Sequence, residues 1–274
     1  MFSPRLGCSS ISFRHQALPD ALATIRAAGF EEIDLGALPG VCDHVPFVLD
    51  EATVNQISGT IRDAGLRVRS VNGDIGDLNA VLDDDQRGAR MAHLQRLLQL
   101  TAAVGARALV LPCGALSHEP FRSLEEDLDL VAGELIRAGD EAARHGVELW
   151  TESLHFFRLC CNLDRARALT ARLADSPVGV VMDFSHIVAS GADPVEFVET
   201  FHDRIAHVHL RDADTGDIHL SIGRGEVDFA GGLDALTAAG YRGHFALELE
   251  TRDVTHDQRP KAAADAARFI SSLL

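Results

Sequence analysis

The chain has 274 residues, 46% of them hydrophobic and 24% charged, and carries a formal net charge of −16. A chain of nearly 300 residues buries about 75% of its unfolded surface, so a fold of this size needs no disulfide support. Its five cysteines form no C-x-x-C motif, which argues against a structural zinc site. The acidic charge argues against a nucleic-acid-binding surface, because such binding depends on many cationic contacts to phosphate.

Hydropathy argues against a membrane-spanning protein. No stretch approaches the roughly 18 apolar residues of a membrane helix. The opening residues, MFSPRLGCSSISF, lack the charged start and apolar core of a signal peptide. We therefore expect a soluble cytoplasmic protein that binds neither membranes nor nucleic acid. Lys261 is the only lysine, so Schiff-base chemistry would depend on that residue, and the lysine-containing phosphate loop is absent.

One pattern repeats along the chain. A helical segment ends at a small or turn residue and a short β-rich run follows. The joins lie at 27–35, 63–71, 103–111, 144–152, 175–183, 202–210 and 238–248. A further run, RLGCSSISF, opens the chain without a preceding helix. The pattern therefore predicts eight strands, with about 34 residues for each strand, helix and pair of loops.

The two kinds of segment differ in their apolar spacing. Leu128, Val131 and Leu135 recur at the period of an amphipathic helix. The run VGVVMD is apolar on both faces, as in a parallel sheet covered on both sides. Eight such units predict a (β/α)8 TIM barrel that forms a single domain over residues 1–274. An open doubly wound sheet is the alternative, but it would need a glycine-rich turn after the first strand, where the chain has CSSISF.

Chemically active side chains stand at the ends of four successive predicted strands. The fifth strand ends at Glu152, the sixth at Asp183, the seventh carries His209, and the eighth ends at Glu248 and Glu250. The carboxyl ends of the strands form the active-site rim of a TIM barrel. Carboxylates gathered there raise each other's pKa unless a cation neutralises them. One imidazole with several carboxylates suits Mn²⁺, Mg²⁺, Co²⁺ or Zn²⁺. Taken singly, each acid could instead cap a helix.

The same residues carry a resemblance to a known family. The motifs are GVELWTES, VVMDFSH, VHLRD, SIGRGEVDF and GYRGHFALELE. Together they resemble the xylose-isomerase-like barrels of the sugar phosphate isomerase/epimerase group. That group includes ketose 3-epimerases, hydroxypyruvate isomerase, inosose dehydratase and the endonuclease IV family. In the group, the metal-binding glutamate of the last strand lies five residues after a turn glycine. That glycine is Gly243 here, so the resemblance selects Glu248 over Glu250.

The resemblance implies an enzyme that transfers a proton next to a carbonyl group. A divalent ion held by Glu152, Asp183, His209 and Glu248 would stabilise the enediolate of a small sugar-like polyol or keto acid. Glu152 and Glu248 would also act as general base and acid. The expected function is therefore a metal-dependent isomerase or epimerase. A lyase or dehydratase with the same metal site, an abasic-site endonuclease and a non-catalytic binding barrel remain as alternatives.

Further residues are expected to contact the substrate. The resemblance places His186 against a substrate oxygen, and His155 could line the same pocket. His219 stands where the sugar epimerases have a substrate-binding arginine, whereas Asp217-x-His219 matches a pair that binds an additional zinc in the endonuclease IV family. The set expected to bind substrate is therefore His186, His219, Arg224 and His155.

Some questions about ligands and partners remain open at this stage. Arg211, Arg224 and Arg252 are available to a phosphate group without being diagnostic of one. His207 shares a strand face with His209 but lies one layer deeper, which favours a role in the barrel core. Assembly as a homo-oligomer is compatible with the sequence.

Overall fold

The computed structural model describes residues 2–274 and contains a closed barrel of eight parallel strands. Its strands are β1 (Leu6–Ser9), β2 (Glu32–Ala37), β3 (Arg67–Gly73), β4 (Ala108–Pro112), β5 (Glu148–Glu152), β6 (Gly179–Asp183), β7 (Ile205–Leu210) and β10 (Phe245–Leu247). The order around the barrel is β1-β10-β7-β6-β5-β4-β3-β2, which confirms the predicted TIM barrel.

Helices alternate with the strands and cover the outside of the barrel. They are α1 (Leu18–Ala28), α2 (Glu51–Ala64), α3 (Asp84–Ala103), α4 (Leu124–Arg144), α5 (Leu163–Arg172), α6 (Phe184–Ala189), α7 (Pro194–Phe201), α8 (Phe229–Ala238) and α9 (Arg259–Ser271). The turn residues predicted between helix and strand act as expected. Gly29 ends α1 at a φ of 104° and Gly65 ends α2 at 67°, both in the left-handed region that glycine tolerates best. Within residues 2–274, no helix is both long enough and apolar enough to cross a membrane.

Two local features differ from the predicted pattern. The opening run does not continue as a strand, because β1 ends at Ser9 and residues 10–13 form a 3-10 helix. The Ser10 hydroxyl accepts a hydrogen bond from the backbone amide of Gly36 in β2. After Ser9 the chain therefore contacts β2 through a side chain and no longer by strand pairing. The chain also forms an unpredicted antiparallel hairpin after β7, made of β8 (Asp212–Asp214) and β9 (Asp217–Leu220).

The barrel interior is filled below the level of the strand ends. Trp150, Ala108, Val110 and Val181 form a small buried cluster inside the barrel. The Trp150 side chain is 1% exposed, so it is a core residue and not part of an open pocket wall. The larger apolar core lies between the strands and the surrounding helices. Because the interior is packed there, ligand space remains only toward the carboxyl ends of the strands.

Candidate metal centre

The structure brings the four residues at the strand ends into one cluster, the Glu152–Asp183–His209–Glu248 cluster. One ligand-type atom from each residue lies within 4.8 Å of the others. His209 Nδ1 is 3.5 Å from Glu248 Oε2 and 4.0 Å from Glu152 Oε1. The residues meet because β5, β6, β7 and β10 are consecutive around the barrel. Glu152 and Glu248 therefore stand on opposite sides of the other two.

The cluster is buried and short of hydrogen-bond partners. Asp183 and His209 are at most 2% exposed. Glu152 Oε1, Asp183 Oδ2 and His209 Nδ1 are buried without a hydrogen bond. Burial, with the charges of Asp183 and Glu248, raises the pKa of Glu152 well above its usual value. Burial acts against charge on His209 as well, but the carboxylates of Glu248, Asp34 and Glu152 together outweigh it and raise the pKa of His209 to about 10. These are the shifts of an acidic cluster that lacks positive charge.

The donor atoms are spaced as ligands of one ion would be. Two atoms bound to a tetrahedral ion at about 2.1 Å lie about 3.4 Å from each other. The 3.5 and 4.0 Å separations at His209 are close to that spacing. One imidazole and three carboxylates also match the preferences of hard to borderline divalent cations. The cluster thus fits a divalent metal ion in spacing, charge and ligand type.

Asp183 combines the two roles that the sequence left as alternatives. Its Oδ1 atom caps α6 by accepting hydrogen bonds from the backbone amides of Ser185 at 2.7 Å and His186 at 3.2 Å. Its Oδ2 atom makes no hydrogen bond and belongs to the cluster. The cap fixes the carboxylate plane, so the second oxygen is held in place without a partner of its own.

Two histidines stack beside the cluster. The rings of His155 and His186 lie 3.9 Å apart, centroid to centroid. The backbone N–H of Phe156 donates to His186 Nδ1, and that of Phe157 donates to His155 Nδ1. Burial lowers the pKa of both histidines well below the usual value. The neutral ring of His155 therefore carries its hydrogen on Nε2, whereas His186 Nε2 also lies 3.5 Å from the Arg211 guanidinium, which is a donor. Each Nε2 lies 3.9 Å from the Glu152 carboxylate.

A cavity of about 910 Å³ opens at the carboxyl ends of the strands. Its wall includes Glu152, His209 and Glu248 from the cluster, together with the stacked histidines. Small-molecule sites usually have volumes of about 300–1,000 Å³. The cavity is therefore large enough for a sugar-sized ligand, and its polar groups converge on the cluster.

Comparison with known proteins places this architecture in a family. The family model described as "Xylose isomerase-like TIM barrel" matches residues 22–273. The chain belongs to this family. The resemblance carried by the strand-end motifs is thereby confirmed.

The relatives of known activity that this chain matches are enzymes. Over 272 residues it is 26% identical to 3-dehydroshikimate dehydratase of Pseudomonas putida, covering 92% of this chain but 39% of that protein. It is 23% identical over 208 residues to 3-dehydro-D-guloside 4-epimerase of Escherichia coli, covering 73% of this chain and 78% of the relative. A solved structure described as the IolI protein with a bound zinc atom superposes with a TM-score of 0.76 at 16% identity, covering 98% of each chain.

The other residues expected to bind substrate in this xylose isomerase-like barrel separate into two places. His219 lines the cavity, and its Nδ1 donates to the Glu250 carbonyl oxygen at 3.2 Å. Asp217 also lines it and accepts a bond from the His219 backbone amide. Among residues 2–274, however, neither belongs to a group of three or more metal-binding side chains. Arg224 is not brought to the cavity, because it lies on a separate groove beside α9.

Arg211 is a site residue that the sequence indicated only as a potential phosphate contact. Its side chain is fully buried. The guanidinium donates to Ser185 Oγ at 3.0 Å and to Glu250 Oε2 at 3.1 Å, and it lies 3.7 Å from Asp183 Oδ2. The Arg211 guanidinium therefore contacts the acidic side chains around the cluster. Its position directly after β7, in the VHLRD motif, was the available signal.

Two further cavity residues had no clear sequence signal. Arg158 is buried and pairs with Asp74 at 2.9 Å. Asn72, which the NGDIGD sequence would assign to a turn, is buried and donates to Glu248 Oε1 at 3.2 Å. Asn72 therefore holds one oxygen of Glu248, while the other faces His209.

Proposed function

We propose that this protein is a divalent-metal-dependent isomerase or epimerase of a small sugar-like substrate. It would move a proton on a carbon next to a carbonyl group. The observation that carries the proposal is the Glu152–Asp183–His209–Glu248 cluster in the wall of a cavity of about 910 Å³. The similarity to a 3-keto sugar epimerase and a 3-keto acid dehydratase supports it, because both reactions begin next to a carbonyl.

Four residues would hold the metal ion: Glu152, Asp183, His209 and Glu248. Their buried, unpartnered donor atoms support this assignment, as does the zinc atom in the IolI structure. Mn²⁺, Mg²⁺, Co²⁺ and Zn²⁺ are the candidates for this ligand set. A bound divalent ion supplies Lewis-acid stabilisation of negative charge that develops on a carbonyl oxygen.

Glu152 and Glu248 would carry the proton. They approach the cavity from β5 and from the end of β10, with β6 and β7 between them. A planar intermediate lying across the cluster would present one face to each carboxylate. One glutamate would then remove a proton while the other returns one to the opposite face, which inverts the carbon. Burial raises the pKa of both carboxyl groups, which makes each carboxylate a stronger base.

His155 and His186 would orient the substrate. Both place Nε2 toward the Glu152 side of the cavity, and the backbone amide of residue 157 fixes the Nε2–H tautomer of His155. Neutral N–H donors suit the carbonyl and hydroxyl oxygens of a polyol. We assign His219 a contact farther from the cluster, because its ring is held by the backbone of Glu250.

A dehydratase is the second candidate, favoured by the match to 3-dehydroshikimate dehydratase over 92% of this chain. The first step would be the same removal of a proton beside the carbonyl. A hydroxyl group one carbon farther would then leave with a second proton, so that water and a conjugated double bond form. His155 Nε2–H, 3.9 Å from the Glu152 carboxylate, is placed to donate to that leaving group.

A substrate labelled with deuterium beside its carbonyl tests this function. We expect the metal-loaded protein, given ketoses and keto-cyclitols in ordinary water, to release the label from the substrate it converts. The epimerase yields an isomer of equal mass, whereas the dehydratase yields a product lighter by one water. Recovery of the full label on the neighbouring carbon of the product would indicate hydride transfer and overturn the proposal.

A further inference from the structure

A fourth acidic residue stands behind the cluster. Asp34 lies in the middle of β2 and is fully buried. Its Oδ2 atom is 2.7 Å from His207 Nε2 and 3.3 Å from His209 Nε2. The two imidazole rings are nearly perpendicular, at 88°, with their centroids 5.2 Å apart. One carboxylate oxygen therefore lies between two histidines of β7.

The position of Asp34 distinguishes the two nitrogens of His209. Nδ1 faces Glu248 and Glu152, whereas Nε2 lies 3.3 Å from Asp34 Oδ2 and has no hydrogen-bond partner. An ionised carboxylate only accepts hydrogen bonds, so the nitrogen facing it is the one that carries a hydrogen. A neutral His209 with Nε2–H then has its lone pair on Nδ1, which is the atom in the cluster.

His207 holds Asp34 from the other side. Its Nε2 bonds to Asp34 Oδ2 at 2.7 Å, and its Nδ1 lies 3.1 Å from the His244 carbonyl oxygen. The 2.7 Å distance is a hydrogen bond and is shorter than the spacing of about 3 Å or more between two ligands of one ion. Asp34 and His207 therefore do not bind one ion together, although Asp34, His207 and His209 are close enough to form a metal-binding group. This geometry also agrees with the barrel-core role expected for His207.

We propose that Asp34 is a positioning residue that fixes His209 with Nδ1 toward the cluster and thereby sets the affinity for the metal ion. The inference rests on the metal site of the proposed function. Groups that orient a metal-binding histidine typically change metal affinity by about 10–100-fold when they are removed. Asp34 acts through His209 and touches neither the substrate cavity nor the other acidic residues of the cluster.

Zinc titration of Asp34→Asn tests the proposal. The substitution keeps the size of the side chain and removes its charge, and we expect the Kd for zinc to rise about 10–100-fold. The matched control is Glu32→Gln, which removes another buried carboxylate of β2, one that pairs with His244 and not with His209. Its Kd should equal that of the wild type. Equal affinity in Asp34→Asn and the wild type would overturn the proposal.

Two further measurements distinguish an error in the role of Asp34 from an error in the metal site itself. Nitrogen NMR of the zinc-loaded wild type should show His209 bound through Nδ1 with a hydrogen on Nε2. Binding through Nε2 would overturn the role of Asp34 even if the Asp34→Asn variant did not fold. Zinc binding that is absent from the wild type, or unchanged by Asp183→Asn, would overturn the metal site itself and with it this inference.

Discussion

His209 Nδ1 and Glu248 Oε2 lie 3.5 Å apart on neighbouring strands. The ladder between β7 and β10 pairs His209 with Ala246, and the Glu248 backbone amide extends it by donating to the Leu210 carbonyl oxygen at 3.1 Å. Backbone register therefore sets this distance before the side chains interact. A cluster built in this way is preorganised, and its chemistry can be tested one side chain at a time.

Asp183→Asn should lose the metal ion and keep the fold. The amide oxygen can still cap α6 in place of Oδ1, but the anionic Oδ2 of the cluster is removed. Metal analysis after gel filtration should find much less than one ion per chain, with an unchanged circular dichroism spectrum. Asp228→Asn is the control, because Asp228 caps α8 and lies outside the cluster. A full complement of metal in Asp183→Asn would contradict the assignment.

Glu152→Gln and Glu248→Gln should each slow turnover. Glutamine keeps an oxygen for the metal but cannot act as a base, and general acid–base catalysis typically contributes about 10²–10⁴-fold. We expect kcat to fall by that factor in each variant while metal remains bound. Glu250→Gln should change kcat much less, because Glu250 also lines the cavity but pairs with Arg14 and Arg211. Wild-type rates in both metal-loaded variants would exclude proton transfer through these glutamates.

The protein should not cleave an abasic-site duplex above background at moderate salt. The net charge of −16 disfavours DNA, because binding requires many cationic contacts to phosphate. In addition, β3 and β4 end in RSVNG and LVLP, which contain no histidine that could bind a further metal ion. Gel analysis of the duplex gives the readout. Efficient incision by the metal-loaded protein, lost in Glu248→Gln, would promote the hydrolase alternative.

Phe184→Ala should destabilise the barrel next to the cluster. Phe184 follows Asp183, is fully buried, and packs against Phe229 with ring centroids 5.7 Å apart. Its ring lies so close to α8 that a Cβ added at Gly232 would come within 2.4 Å of it. Burying such a ring is worth about 3–5 kcal/mol of unfolding free energy. Urea unfolding of the metal-free protein measures the loss.

Phe121→Ala is the matched control for that measurement. Phe121 is 53% exposed, so the same substitution should change the unfolding free energy by at most about 0.5 kcal/mol. Equal stability losses in the two variants would show that Phe184 does not anchor the end of β6.

The repeat of helix and strand made the barrel predictable, and the barrel made the strand-end residues predictable. Once parallel strands close into a ring, the ends that carry Glu152, Asp183 and His209 must meet at one rim. Glu248 and Glu250 could not be separated by strand period alone, because both fall on one face of the eighth strand. The structure separates them geometrically, since Glu248 joins the cluster and Glu250 pairs with arginines.

Side-chain contacts across the barrel could not be predicted from the sequence. Asp34 meets His207 from a strand on the other side of β1 and β10, and Arg158 meets Asp74 between two loops. Such pairs have no period, since they depend on barrel closure and on loop paths. The hairpin of β8 and β9 was not predicted, because strands of three and four residues are too short to show an alternation of apolar and polar residues. Arg224 follows that hairpin, and its path leads away from the cavity.

Anomalous scattering from a crystal soaked in Mn²⁺ tests the central claim most directly, because it locates the ion without requiring knowledge of the substrate. The account predicts one strong peak per chain, surrounded by Glu152, Asp183, His209 Nδ1 and Glu248. A peak at Asp217 and His219 with none at the cluster, or no peak at all at saturating manganese and zinc, would contradict it.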